Sequence, residues 1–117
     1  MRRPDDCVRL RHMLDAARKA IYYAHGHSLK DIAEDEPLNL ILVRLLEIVG
    51  EAARNVSSET KAQYPQLPWV EMAATRNRLI HGYFDVDPEI IGRIVTEDLP
   101  GLVSALESIL AEDTGTE

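Results

Sequence analysis

Between Leu38 and Val56 the residues Leu38, Ile41, Leu42, Leu45, Val49, Ala52 and Val56 recur every three or four positions, the repeat of one helix face. No strand period fits this run, and Pro37 suits the first position of a helix that continues to about Asn55. Leu40, Val43 and Leu46 lie outside the stripe, so the first half of the helix is apolar on more than one side. Such a helix needs two surfaces to pack against, its own core and something else, and a partner subunit is the simplest candidate.

The flanking sequence reads the same way. Leu10, Leu14, Ala17, Ile21 and Ala24 line one face of a helix from about Asp6 to Ala24, with Gly26 as its stop. Ser28 can cap a short turn before the acidic break Glu34-Asp35-Glu36. Ser57 and Ser58 can cap another short helix that ends at Tyr64-Pro65, and Pro68 opens a helix that weakens near Gly82. Asp87-Pro88-Glu89 is a helix start, and the last helix runs to about Ala111, with Pro100 kinking or dividing it. The expectation is an all-α, up-and-down bundle of four to five main helices, homodimeric, with residues 1–117 forming one domain.

Of the 117 residues, 45% are hydrophobic but only 5% aromatic, which favours helices packed through aliphatic side chains. One cysteine, Cys7, excludes an internal disulfide and gives no sign of an oxidising compartment. The acidic start lacks the apolar run of a signal peptide, and Leu38 to Gly50 is too short and too polar to span a bilayer, so the expected location is cytoplasmic, with no membrane partner. A formal charge of −7 argues against a broad electrostatic grip on nucleic acid. An RNA substrate would have to be engaged locally, by a few arginines at one site.

Chemistry concentrates between Trp69 and Tyr83. On a helical wheel Trp69, Met72, Ala73, Ile80 and Tyr83 share a sector with Leu79 at its edge, and Arg76 falls near the centre, while Arg78 points to the opposite side with Glu71. A guanidinium on an apolar face calls for a partner or a purpose. Asn77 precedes His81 by one turn, so its amide can hold the imidazole in one tautomer. Arg76 and His81 are separated by about 140° on an ideal helix. They converge on one phosphate only if the helix loosens at Gly82 or if two chains each contribute.

An arginine, a histidine and a nearby tyrosine suit RNA cleavage without a metal. The arginine stabilises charge on the scissile phosphate, and the imidazole takes the proton of the ribose 2′-hydroxyl or gives one to the leaving oxygen. The product is a cyclic phosphate, and DNA, lacking that hydroxyl, is not a substrate. The four histidines are scattered, and His25-x-His27 has no third ligand, so no metal site and no cofactor are expected.

The string Arg76-Asn77-Arg78-Leu79-Ile80-His81-Gly82-Tyr83 resembles the R-x-x-x-x-H-x-Y signature of HepT-like proteins in the HEPN superfamily. Glu47 to Ala53, Tyr64 to Trp69, and Glu97 to Pro100 are similar to the same family, so the resemblance spans about residues 6 to 110. It implies a dimeric helical bundle, the toxin of a type VII toxin–antitoxin system, with Arg76 and His81 of both chains lining a composite endoribonuclease site. Asn77 and Arg78 become substrate-binding or orienting residues. The resemblance also implies a minimal nucleotidyltransferase antitoxin of the MntA type, which silences the toxin by transferring AMP from ATP to the motif tyrosine, Tyr83.

Each of these residues also has a plainer reading. Arg76 can snorkel or pair with Glu47 or Glu51 inside the bundle, His81 can serve as a positive charge at a helix end, and Tyr83 can be a packed aromatic. Glu47, Glu51, Arg44 and Arg54 read as a solvated charged face, with one glutamate orienting Arg76 as the lesser alternative. Gly50-Glu51-Ala52-Ala53 reads as a site of close helix approach. Trp69, Met72 and Leu79 are assigned to the core, and Tyr22-Tyr23 to surface or packing. A rival function is a non-catalytic helical subunit that binds a nucleotide or docks the transferase; a third is a structural homodimer alone.

Overall fold

A computed structural model describes residues 4–81 and 87–115, with side chains to residue 112. Among the described residues there are helices and no strands. The elements are α1 (Pro4–Ala24), α2 (Leu29–Glu34), α3 (Glu36–Arg54), α4 (Ser58–Gln63), α5 (Trp69–His81), α6 (Pro88–Arg93), a π-helical turn (Ile94–Asp98) and α7 (Leu99–Gly115).

The helix ends sit where local chemistry puts them. Gly26 takes φ +83 after α1, a left-handed conformation that costs a glycine nothing. Ser28, Asp35, Ser57 and Asp87 each turn a side-chain oxygen onto a free backbone N–H of the helix that follows. The last helical segment is divided rather than simply kinked. The N–H of Leu99 bonds the carbonyl of Ile94, five residues back, and Thr96 Oγ1 donates to the carbonyl of Gly92 at 2.8 Å. Pro100 has no N–H with which to continue an ordinary ladder, so the wider turn falls just ahead of it.

α3 lies between α1 and α5, α7 packs on the other side of α1, and α2 packs on α6. Two contacts orient the long helices. Asp6, in the first turn of α1, bonds Ser57 and Thr60 beyond the end of α3, so α1 and α3 run antiparallel. Tyr64 Oη donates to Glu112 at 3.0 Å, which brings the end of α7 to the same pole. One core joins these elements, with Leu10, Met13, Leu42, Ile91, Val95, Leu106 and Ile109 almost without exposure.

Two expectations about α3 change. Val43 and Leu46 are buried by the chain itself, because α3 has α1 on one side and α5 on another. The second apolar surface is therefore satisfied within one chain. Ile41, assigned to the core stripe, is 42% exposed beside the 43% exposed Leu40, since both lie on the outer side of the first turns of α3.

Asp6 is only 2% exposed. Its carboxylate accepts from the N–H of Ser57 at 2.9 Å, from Ser57 Oγ at 2.6 Å and from Thr60 Oγ1 at 2.7 Å. These bonds repay the desolvation of the charge and fasten α1 to the cap of α4. No membrane-length apolar helix occurs among the described residues.

Candidate active site on α5

α5 begins where Pro68 cannot donate and the Trp69 indole Nε1–H reaches the Tyr64 carbonyl at 2.9 Å. The helix turns one stripe toward α3: Met72, Arg76 and Leu79, spaced four and three residues apart. Leu79 is 3% exposed, whereas Trp69 and Met72 are half-buried against the core rather than inside it. Ile80, assigned to the apolar sector, is 42% exposed. α5 is covered chiefly by α3, so its buried face is narrower than the wheel suggested.

Arg76 occupies that stripe with its side chain 17% exposed. Its Nη2 lies 2.8 Å from Glu51 Oε2 on α3, and its Nη1 donates to Asn77 Oδ1 at 3.0 Å. Asn55 Nδ2 donates to Glu51 Oε1 at 3.3 Å and to the Glu51 carbonyl at 3.0 Å. Arg76 Nε is buried and has no hydrogen-bond partner among the described residues. The guanidinium is thus held at its tip by a carboxylate and an amide, with one donor unsatisfied.

Close approach of the helices makes this possible. Gly50 packs directly beneath Arg76 and Met72, where any β-carbon would collide with the arginine stem. Glu51 is thereby the glutamate that meets Arg76, while its side chain stays half exposed at the edge of the charged face. Glu47 remains on the surface network, 4.0 Å from Arg44.

The other expected site residues are distributed around this group. Asn77 spends its amide oxygen on Arg76 and makes no bond to His81 among the described residues, contrary to the expectation that it orients the imidazole. A side chain adjacent in sequence can reach the same guanidinium without the helix having to align a full turn. His81 is exposed at the end of α5, outside the Arg76–Glu51–Asn77 group. Arg78 is exposed on another flank, where it borders a recess with Thr75, Leu79, Ile90 and Ile94. Tyr83 lies outside the described residues. One chain therefore joins Arg76, Asn77 and Glu51, and His81 stands exposed outside that group.

Sequence reasoning underused Glu51 and missed Arg9 and His12. The latter pair borders a cleft of about 230 Å³ between α1 and α3, together with Arg44, Ile48, Glu51 and Asn55. A larger cleft of about 430 Å³ opens on another side of α3, beside Gly50, lined by apolar residues such as Leu46, Met72 and Leu102 and by the acids Glu71, Glu97 and Asp98. No three His, Cys, Asp or Glu side chains among the described residues are grouped to hold a metal.

Comparison with known proteins places this geometry in context. The family described as "Ribonuclease HepT-like" matches residues 13–109. A "Probable ribonuclease HepT" of Thermococcus cleftensis is 39% identical over 80 residues, 68% of this chain and 73% of that protein. A "Putative RNase" of Caldanaerobacter subterraneus is 35% identical over 104 residues, covering 89% of this chain and 93% of the relative. Another protein of that description, from Methanocaldococcus jannaschii, is 31% identical over 97 residues, 83% of this chain and 89% of its own length. No solved structure gives a significant match.

Proposed function

The chain belongs to the ribonuclease HepT-like family, and from that premise we propose that it is the endoribonuclease toxin of a type VII pair, acting without a metal. Family membership carries the ribonuclease activity. Arg76 stabilises the non-bridging oxygens of the scissile phosphate. His81 takes the 2′-hydroxyl proton or protonates the departing 5′-oxygen as the 2′-oxygen attacks phosphorus and the P–O5′ bond breaks. The strand ends in a cyclic phosphate on one side and a free 5′-hydroxyl on the other.

The observation that carries this reading is the setting of Arg76. It is a mostly buried guanidinium anchored by Glu51 over a glycine, with Nε unsatisfied, on the helix that exposes His81 five residues later. The roughly 140° between those two positions favours a composite site across a homodimer. In this account Tyr83 is the acceptor of AMP from a nucleotidyltransferase antitoxin. An anion two residues from His81 would block the cleft and compete for Arg76.

The test is an oligoribonucleotide incubated with protein whose Tyr83 is unmodified, with EDTA present. Cleavage to a cyclic phosphate is expected, and a 2′-deoxy substitution at the scissile nucleotide should abolish it. Cleavage of that substituted strand, or loss of activity with EDTA, would contradict the mechanism.

A second reading draws on the Arg76–Glu51 pair itself, which also suits a structural ion pair. Under it the chain is a non-catalytic subunit that binds a nucleotide or docks the transferase. Intact RNA after incubation with unmodified protein would select it.

A further inference from the structure

A chain carrying −7 must find its RNA by local charge, and the clefts on two sides of α3 differ sharply in that respect. The larger one is apolar with three acids at its rim, Glu71, Glu97 and Asp98. It repels a phosphodiester. The smaller one, between α1 and α3, presents Arg9, His12 and Arg44, with Glu51 as its one acid. That acid is already engaged by Arg76. Arg44 also has Glu47 at 4.0 Å, so the cationic character of the cleft rests on Arg9 and on the Arg44 side chain, which stays 71% exposed; one side chain, Glu51, is shared between the cleft wall and the Arg76 anchor.

Beyond the cleft, the same side of α1 carries two further groups. Arg9, His12, Ala16, Lys19 and Tyr23 follow one another at three- and four-residue steps, so they share a side of α1, with Ala16 buried in the core between the two groups. Lys19 is exposed, and Tyr23 is 45% exposed with its ring set edge-on to Tyr22. From Arg9 to Tyr23 the helix extends about 21 Å, at 1.5 Å per residue. Positive groups followed by an accessible aromatic ring are the elements that bind single strands: cations to phosphates, a ring for a base to stack on.

We propose that the α1/α3 cleft, lined by Arg9, His12 and Arg44 with Lys19 and Tyr23 beyond it on α1, is the subsite that receives single-stranded RNA next to the scissile phosphate. It rests on the ribonuclease reading for the position of the scissile bond, and deepens it by assigning the residues that hold the strand. Arg9 and Arg44 bind phosphates on either side of the cleft, and Tyr23 stacks a base upstream or downstream of the cut.

The probe is a fluorescein-labelled twelve-nucleotide oligouridylate, and binding is read by anisotropy on His81→Ala protein so that the strand survives. Adding Arg9→Glu and Arg44→Glu should weaken binding at least tenfold and make the slope of log K against log salt shallower by about 1.4, at about 0.7 per phosphate contact. A control with equal change in net charge, Lys30→Glu with Arg93→Glu on exposed positions of α2 and α6, should leave binding within about twofold. Tyr23→Ala should weaken binding with the salt slope unchanged. Thermal melts of all variants should match the parent, showing that the fold survives.

Equal losses in the cleft and control variants, no loss in either, or no binding by the parent would overturn the proposal. So would a change of oligomeric state on Arg9→Glu/Arg44→Glu, which would mean a second copy covers the cleft. If the wild type fails to cleave RNA while the binding losses appear as stated, the catalytic reading falls and the subsite stands. Cleavage that depends on His81 with binding indifferent to the cleft gives the reverse.

Discussion

Gly50 lies so close beneath Arg76 that a β-carbon there would strike the Arg76 Cβ and come within 2.9 Å of the Met72 carbonyl oxygen. The absence of a side chain on α3 therefore sets the position of the guanidinium on α5. Replacing Gly50 by Ala forces the two helices apart, a strain of about 1–3 kcal/mol for an overpacked contact. Chemical denaturation should register that loss, and RNA cleavage should fall further than stability alone explains, because Arg76 is displaced.

Glu51 positions Arg76 more than it stabilises the fold. Its side chain is 49% exposed, and an ion pair of that exposure contributes at most about 1 kcal/mol. Glu51→Ala should shift the melting temperature little yet lower kcat about tenfold with KM nearly unchanged. Glu51→Gln, which keeps a hydrogen-bond acceptor, should recover part of the rate. A merely structural glutamate would show neither the kcat loss nor the rescue.

Asp6 presents the opposite case, a carboxylate whose loss is felt in stability. Asp6→Ala removes the acceptor for the Ser57 N–H, Ser57 Oγ and Thr60 Oγ1 and leaves them facing an apolar methyl. The expected cost is about 3 kcal/mol, a fall in thermal midpoint of roughly 10 °C for a domain near this size. Calorimetry checks it. At a temperature where the variant remains folded, cleavage should be unaffected.

Modification of Tyr83 is read by mass. Co-expression with an active nucleotidyltransferase partner, or incubation with it and ATP, should add one or more AMP units at Tyr83, and the modified protein should lose RNA cleavage. Tyr83→Phe should remain unmodified and resist silencing.

Much of this was legible in the residues because local rules act one element at a time. Ser57 and Asp87 announced helix starts by their side-chain oxygens, Ser28 a capped turn that proves to be the short helix α2, Gly26 and Pro100 marked a stop and a break, and Gly50 marked a close approach. Arg76 stood out because a charge in an apolar stripe is rare and costly. What the sequence could not settle was which neighbour each side chain meets. Asn77 turns to Arg76 rather than His81, because the nearer donor is a charged one. Val43 and Leu46 are covered by the chain's own helices, and Ile41 and Ile80 face outward, since a helical period tells how wide an apolar face is but not how much of it a neighbour covers. The α1/α3 cleft was invisible for the same reason: Arg9 and His12 stand far from Arg44 in sequence and meet only through antiparallel packing.

The most direct test of the account uses two inactive proteins together. Arg76→Ala and His81→Ala, each alone, should lose RNA cleavage by a factor of about a hundred or more while keeping helical content. When the two are unfolded, mixed in equal amounts and refolded, mixed dimers should regain about a quarter of the wild-type activity, since half of the dimers would carry one complete site of two. Full cleavage by either variant alone, or no recovery on mixing, would contradict a site in which the arginine of one chain and the histidine of its twin act on the same phosphodiester.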